Sequence, residues 1–204
     1  MKRLSSYVMV AMSVSPALYE PSYAYEIHTH DLISGIAGEQ STAGGVLQDS
    51  FGLSPGLDSL VGGQSLALWL RQGALREDNQ LRFLNHFHNP LADSWTGAGL
   101  LGSVGQSAVL WAQNREQGFP GWSWSDVREL YFDAMTKATR TDRDRALAGT
   151  FEGLGHQIHL VQDAASPAHA RNDGWMLRGC AAGSERDFQG GGLRNLFFRA
   201  RRQK

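Results

Sequence analysis

Apolar residues along this chain recur at helical intervals in several segments. Between residues 65 and 76, and again between residues 141 and 165, they return every three or four positions, as expected for helices that bury one face. Weaker patterns of the same kind predict helices near residues 31–39, over residues 107–117 and from Ser125 to about Ala138. No segment alternates convincingly with the two-residue period of a strand. The sequence therefore predicts an all-α fold in a single helical domain.

Local polar residues indicate where two of these helices start. Ser125 is followed by Asp126 and then by Glu129, a pattern typical of a helix start. Thr141 is placed to cap the longest helix, with Asp142 in its first turn, where a carboxylate suits the helix dipole. The predicted apolar face of that helix comprises Leu147, Phe151, Leu154, Ile158 and Val161. Residues 77–105, rich in Asn, Pro, Gly and aromatic residues, predict a structured loop instead.

The composition limits the size of the fold and its partners. With 204 residues, 42% of them apolar and 19% charged, the chain is long enough for one domain with a substantial core. Its net charge of −1 provides no electrostatic case for a stable nucleic-acid partner or for binding to an anionic membrane. Because Cys180 is the single cysteine, no disulfide forms within the chain, and the compartment has to be inferred from the N-terminus.

The first 24 residues have the pattern of a signal peptide. Lys2 and Arg3 precede a mostly apolar stretch over residues 7–18, and Ser22 and Ala24 are the small residues that a signal peptidase requires. The stretch is too short and too interrupted for a permanent membrane anchor, and no transmembrane segment is predicted. We therefore expect cleavage after Ala24, Tyr25 as the mature N-terminus, and a secreted or periplasmic protein. An uncleaved N-terminal extension is the alternative.

The densest group of ligand-type side chains lies in residues 155–170. His159 and Asp163 are four residues apart, so they share one face of a helix. Pro167 cannot continue that helix, and a turn there brings His169 back toward the same place. Two imidazoles and a carboxylate suit zinc. We interpret His156 as a supporting or core residue; the alternatives to a metal site are a surface pair or buried structural histidines.

Two upstream segments contain further residues of this kind. Asp78 follows the predicted helix of residues 65–76, and His86 lies in the loop after it, so a carboxylate and an imidazole can converge there on one ion. Tyr25 and His30 lie at the proposed mature N-terminus, where a free α-amine and its carbonyl can chelate a metal after removal of the signal peptide. Each segment by itself is also explained by an exposed polar loop.

Together the motifs resemble the bacterial zinc-dependent phospholipases C, whose fold and metal arrangement the fungal single-strand nucleases share. The motifs are Thr-His at residues 29–30, Gly-Ala-x-x-Glu-Asp at 73–78, Asn-His-Phe-x-x-Pro at 85–90, and His-x3-Asp-x5-His at 159–169. The resemblance covers residues 25–173 and implies a helical domain with three zinc ions in a cleft. It implies hydrolysis of phosphate esters by a metal-bound hydroxide. The implied ligands are Tyr25, His30, Asp78, His86, His159, Asp163 and His169.

The resemblance also implies roles for these ligands. Asp163 would bridge two ions, and Asp78 and Asp163 are the predicted catalytic residues. One bridged ion would take Asp78, His86 and His159, and the other would take His30 with the amine and carbonyl of Tyr25. The family usually has tryptophan at the mature N-terminus, but the ligation uses backbone atoms, which tyrosine provides equally.

The third zinc position is incomplete in this chain. The family has another histidine and a carboxylate after the position of His169, whereas no histidine follows residue 169 here and Asp173 is the nearest carboxylate. Residues 176–204 contain five glycines and seven basic residues against two acidic ones, without a sustained helical period. We therefore expect two zinc ions, a domain over residues 25–175, and an atypical tail over residues 176–204 that results from a truncation or frameshift near Gly174.

These observations favour a zinc-dependent hydrolase of phospholipid-like or other phosphodiester substrates. A zinc-dependent nuclease of the same fold is the second hypothesis, although the near-neutral net charge argues mildly against it. The incomplete third site suggests a further alternative, a truncated and inactive member that still binds metal.

Overall fold

The computed structural model describes residues 26–79, 81–91, 105–118 and 120–171. The helices in this part of the chain are α1 (Ile27–Gln40), α2 (Ala43–Phe51), α3 (Leu66–Arg76), α4 (Ala108–Trp111), α5 (Trp124–Thr136), α6 (Arg140–Ala164) and α7 (Pro167–Arg171), with 3₁₀ turns at Gly56–Asp58 and Arg82–Asn85. A short antiparallel hairpin joins β1 (Leu60–Val61) to β2 (Gln64–Ser65). The prediction of a mostly helical fold is confirmed.

The close contact between α3 and α6 forms the centre of the fold. A Cβ atom added to Gly73 would lie 1.9 Å from the carbonyl oxygen of Glu152, and one added to Gly155 would lie 2.0 Å from that of Leu70. Glycine is needed where two helix backbones approach so closely. The two helices are therefore near enough for a side chain of α6 to reach the backbone of α3.

Apolar side chains around this contact form the main core. Its buried members are Leu47, Leu57, Val61, Leu66, Leu70, Ala134, Ala146, Leu147, Ala148 and Phe151. Helix α5 packs on α6 where Val127 faces Gly153. Helix α1 is joined to α3 by the Arg71 guanidinium, which donates two hydrogen bonds of 2.7 Å to the carboxylate of Asp31. Helix α1 therefore packs on α3, and helix α5 packs on α6.

The starts of α5 and α6 differ from the predicted ones. Helix α5 is capped by Ser123, whose hydroxyl accepts from the Asp126 amide while the Asp126 carboxylate accepts from the Ser123 amide. The predicted start at Ser125 is wrong because this capping box satisfies two amides at once. Helix α6 is capped by Thr139, whose hydroxyl accepts an amide hydrogen bond from the first turn, so Thr141 lies inside the helix.

The predicted apolar face of α6 is wrong near its C-terminal end. Val161 is 70% exposed, whereas the polar residues His156, His159 and Asp163 are buried. The buried side of the helix changes from apolar to polar residues along its length, so hydrophobicity alone cannot locate it there. The face that carries the candidate ligands is the face that packs into the protein.

Two short elements are absent from the prediction. Helix α2 contains Gly44 and Gly45, which lower helix propensity, and the hairpin turn consists of Gly62 and Gly63, both with positive φ. In the predicted helix of residues 107–117 only α4 is helical, and α1 begins earlier than predicted. These segments contain turn-forming or weakly helical residues, so the hydrophobic pattern does not indicate their boundaries.

Several predictions concern residues outside the described part of the chain. The signal peptide of residues 1–24, Tyr25, Asp173 and the tail of residues 176–204 all lie there, so they stay predictions. In the described ranges, no helix combines the length and the hydrophobicity needed to cross a bilayer.

Candidate metal centre

Six of the predicted ligands come together, and five of them surround the buried carboxylate of the sixth, Asp163. They come from α1, from the segment that follows α3, from α6 and from α7. The six are His30 in α1, Asp78 and His86 after α3, His159 and Asp163 in α6, and His169 in α7. The group thus depends on how these elements pack together and not on one continuous segment.

The four histidines divide between the two oxygens of Asp163. The Oδ1 atom lies 3.4 Å from Nε2 of His30 and 3.4 Å from Nδ1 of His169. The Oδ2 atom lies 2.9 Å from Nδ1 of His86 and 3.1 Å from Nε2 of His159. All five side chains are buried. One carboxylate therefore faces ring nitrogens with both oxygens, which suits a ligand shared between two ions.

Asp78 is the member of the group that faces solvent. Its Oδ1 atom lies 3.3 Å from Nδ1 of His86 and 3.6 Å from Nε2 of His159. The Asp78 side chain is 34% exposed, compared with 1% for Asp163. Within the described part of the chain, a molecule that approaches the group from solvent therefore meets Asp78 first.

Several buried atoms of this group have no hydrogen-bond partner among the described residues. They are both oxygens of Asp163, Nε2 of His86, Nε2 of His159 and Nδ1 of His169. Because buried polar atoms are almost always hydrogen-bonded, five such atoms in one place indicate room for a further ligand. Ligand atoms of three overlapping sets lie within 4.8 Å of one another: His30–His159–Asp163, Asp78–His86–His159 and His86–Asp163–His169. These residues could therefore hold a metal ion.

Hydrogen bonds on the far side of two histidines determine which ring nitrogen is available. Nδ1 of His159 lies 2.7 Å from the carbonyl oxygen of Ala74. A carbonyl can only accept, so Nδ1 carries a proton, and in the neutral ring Nε2 is the nitrogen that has the lone pair. Nδ1 of His30 lies 2.6 Å from Oε1 of Gln162, whose amide donates to Oγ of Ser34 at 2.9 Å. Metal-binding histidines are typically oriented by such partners.

The electrostatics keep the central carboxylate ionised. Burial alone would raise the pKa of Asp163, but the surrounding histidines, foremost His159, outweigh it and hold the pKa well below its usual range. Burial also opposes protonation of His86, yet Asp163 and Asp78 raise its pKa well above 6.5. For His169 burial prevails and lowers the pKa to about 4. At neutral pH without metal, His86 is thus protonated and His169 is neutral.

His156 lies beside the ligand group and does not belong to it. Its Nδ1 atom lies 2.5 Å from Oε2 of Glu77, and its ring stacks on that of Trp122 with 4.8 Å between centroids. Burial, opposed only in part by the Glu77 carboxylate, lowers the pKa of His156. The residue therefore occupies a supporting position behind the candidate ligands.

Glu77 is a buried acidic residue that the sequence analysis missed. Its side chain is completely buried and pairs with the guanidinium of Arg82. Burial would raise the pKa of Glu77, but His156, His86 and Arg82 lower it overall. Its position next to Asp78 in the Gly-Ala-x-x-Glu-Asp motif was the available signal, yet a buried charge leaves no mark on the hydrophobic pattern.

A groove among the described residues lies elsewhere. It has a volume of about 980 Å³, is bordered by the hairpin, α5 and α6, and includes Trp69 and Trp122 in its walls. Neither Asp163 nor any of the five candidate ligands around it lines this groove. Large grooves are the usual first place to look for a site, but here the donor atoms and their missing partners locate the chemistry better than the size of a groove does.

Comparisons of the chain with protein-family models, with curated proteins and with solved structures find no match. The resemblance to the zinc-dependent phospholipases C therefore rests on the motifs. Tyr25 and Asp173, which that resemblance also implicates, lie outside the described residues.

Proposed function

We propose that this chain is a zinc-dependent hydrolase of phosphate esters with phospholipase C-like activity. The observation that supports the proposal most is the convergence of four histidines and two aspartates, in which buried atoms without a hydrogen bond among the described residues cluster at Asp163. Imidazole and carboxylate ligands in this combination suit zinc. The family and the specific helical fold type are part of the proposal, because they derive from the motif resemblance.

The ligands are assigned to two ions that share Asp163. The first ion takes Asp78, His86, His159 and Asp163. The second takes His30 and Asp163, and the amine and carbonyl of Tyr25 complete it after removal of the signal peptide. The proposal therefore includes export to the periplasm or the medium. N-terminal sequencing of exported protein that starts at any residue other than 25 would remove Tyr25 from the ligand set.

His169 does not complete a separate third position among the described residues. The residues grouped with it are Asp163 and His86, which the first ion already uses. The proposal therefore keeps the centre of two ions expected from the sequence. The alternative to an enzyme is a protein that binds metal without turnover.

Bound zinc would neutralise charge on phosphate oxygens and lower the pKa of a coordinated water to about 7. The residues of the chain hold and orient that centre. Asp163 stays ionised in a buried position between four imidazoles, and Gln162 and the Ala74 carbonyl keep the rings of His30 and His159 turned toward it. Asp78, at the solvent-facing edge, is the carboxylate that an entering ester would contact first.

A phospholipid-like ester is the substrate class that the resemblance supports, and a nuclease is the closest competitor. The experiment measures zinc per chain and then turnover of a phosphatidylcholine-like substrate and of single-stranded DNA in parallel, in chelated protein titrated with zinc. We expect two zinc ions and low turnover of the lipid analogue, abolished by chelator and partly raised by excess zinc.

The outcomes separate the hypotheses. Turnover of DNA alone supports the nuclease, and two bound zinc ions without turnover of either substrate refute the enzyme and support a metal-binding member. Asp163→Asn should abolish turnover. Asp49→Asn, which changes an exposed carboxylate on α2, is the matched control and should retain it.

A further inference from the structure

The ring of His86 lies between two adjacent acidic residues. Nδ1 of His86 lies 3.3 Å from Oδ1 of Asp78, and Nε2 lies 3.6 Å from Oε1 of Glu77. Successive residues at a helix end point in directions about 100° apart, so the Glu-Asp pair can place one carboxylate in the ligand group and the other behind it. His86 is thus contacted at one nitrogen by a candidate ligand and approached at the other by a residue outside the ligand group.

Two other histidines of the centre have a far-side hydrogen-bond partner, whereas His86 has none among the described residues. Nδ1 of His159 is held by the Ala74 carbonyl, and Nδ1 of His30 by Gln162. Nε2 of His86 is buried and has no hydrogen bond among the described residues. At 3.6 Å, Oε1 of Glu77 is just beyond hydrogen-bond distance, so a small ring rotation would close the contact.

The two oxygens of Glu77 have different neighbours. Oε2 accepts from Nε and Nη2 of Arg82 at 2.9 and 2.7 Å and lies 2.5 Å from Nδ1 of His156. Oε1 accepts from Nε1 of Trp111 at 3.0 Å and retains a second lone pair on the side of His86. The ion pair with Arg82 favours the charged form of the Glu77 carboxylate. Its Oε1 atom is the oxygen that can accept a further hydrogen bond.

We propose that Glu77 is a positioning residue that keeps the proton of His86 on Nε2, so that Nδ1 presents its lone pair to the metal centre. This role rests on the proposed function, since it requires that His86 bind metal. Glu77 itself is in none of the three sets of grouped ligand atoms and acts only through His86. A carboxylate behind a metal-bound imidazole both fixes its tautomer and increases its basicity.

The test compares two variants of the full chain with the wild type. Glu77→Gln together with Arg82→Gln removes the charge behind His86 without leaving a lone buried charge. Trp111→Phe removes the other donor to Oε1 and leaves the Glu77 charge in place. Zinc affinity is measured by competition with a chromophoric chelator, and the visible absorption spectrum of the cobalt-substituted protein reports on the ligand geometry. Thermal unfolding of the metal-free proteins reports on folding.

The double variant should bind zinc about 10- to 100-fold more weakly than the wild type and show an altered cobalt spectrum. Trp111→Phe should keep the wild-type affinity and spectrum even if its metal-free form melts earlier. Wild-type affinity in a folded double variant, an equal loss in both variants, or a double variant that does not fold would overturn the positioning role. A wild-type protein that binds no zinc would instead refute the metal centre itself, and the role of Glu77 with it.

Discussion

Replacing Asp163 with asparagine removes the one negative charge that four histidines face. In the metal-free protein Oδ2 lies 2.9 Å from Nδ1 of His86, whose pKa Asp163 and Asp78 raise well above 6.5 although burial opposes it. The two residues therefore form a buried ion pair, and removing one partner of such a pair costs about 3–5 kcal/mol. A domain of this size loses roughly 2–4 °C of Tm per kcal/mol, so a decrease of roughly 6–20 °C follows.

Two considerations sharpen this expectation. His86 can release its proton once its partner is gone, which limits the penalty and favours the lower half of the range. With metal present we expect a larger loss, because Asp163 serves both ions of the proposed centre. Asp163→Asn should then lose more than one zinc equivalent, whereas His86→Ala, which removes a ligand of one ion only, should lose about one.

The assay is thermal unfolding followed by circular dichroism, with and without chelator, combined with metal analysis after gel filtration. Asp49→Asn should change stability by no more than about 0.5 kcal/mol, as expected for an exposed residue. An Asp163→Asn protein with the zinc content and the Tm of the wild type would refute the bridging role of Asp163 and the reasoning from buried charge.

Three further predictions concern protons and packing. Zinc binding at pH 7 should release about one to two protons per chain, from His86 and in part from His30. The reason is that neighbouring carboxylates outweigh burial and raise the pKa of both histidines above 6.5. Calorimetry in buffers of different ionisation enthalpy counts the released protons, and the absence of any release would contradict the assignment of these two residues as ligands. Burial lowers the pKa of His169 to about 4 in the folded protein. As the pH decreases from about 6.5 to 4, His169 is therefore protonated in the unfolded chain before it is protonated in the folded protein. The free energy of unfolding of the metal-free protein should fall over this range by at most about 3 kcal/mol. His169→Ala should therefore show a shallower acid loss in denaturant titrations of metal-free protein, and an unchanged slope would argue against a buried neutral ring. Gly155→Ala should destabilise the fold by about 3 kcal/mol through overpacking at the α3–α6 contact. Gly45→Ala, which places a methyl group in open space on α2, should stabilise the fold by about 0.5–1 kcal/mol. Equal melting temperatures of the Gly155→Ala and Gly45→Ala variants would disprove the close contact between α3 and α6.

The sequence by itself determined the features that depend on local geometry and on side-chain type. His159 and Asp163 share a face of any α-helix because four residues make little more than one turn. Pro167 interrupts the helix in any context because it has no amide hydrogen to donate. Few residue types bind zinc, so the histidines and aspartates in the four motifs could be singled out before their positions were known.

Element boundaries and faces were determined only in part. The sequence predicts a helix start at Ser125, whereas the reciprocal pair with Asp126 forms at Ser123 and caps α5 there. Val161 continues the apolar period, yet it is exposed because the buried side of α6 becomes polar at that end. A hydrophobic pattern predicts burial only where the buried residues are apolar.

Tertiary structure alone decided which groups stand behind the ligands. Glu77 and His156 are 79 residues apart, and their contact exists because α3 and α6 approach closely. The carbonyl of Ala74 that orients His159 belongs to the backbone, and any residue would provide it. No sequence pattern can therefore predict this hydrogen bond. Hydrophobic periodicity and the types of candidate ligand can be read from short segments of the sequence. Burial, and the hydrogen-bond partner of the histidine nitrogen that faces away from the metal centre, depend on packing between distant segments, which the sequence specifies only through the whole fold.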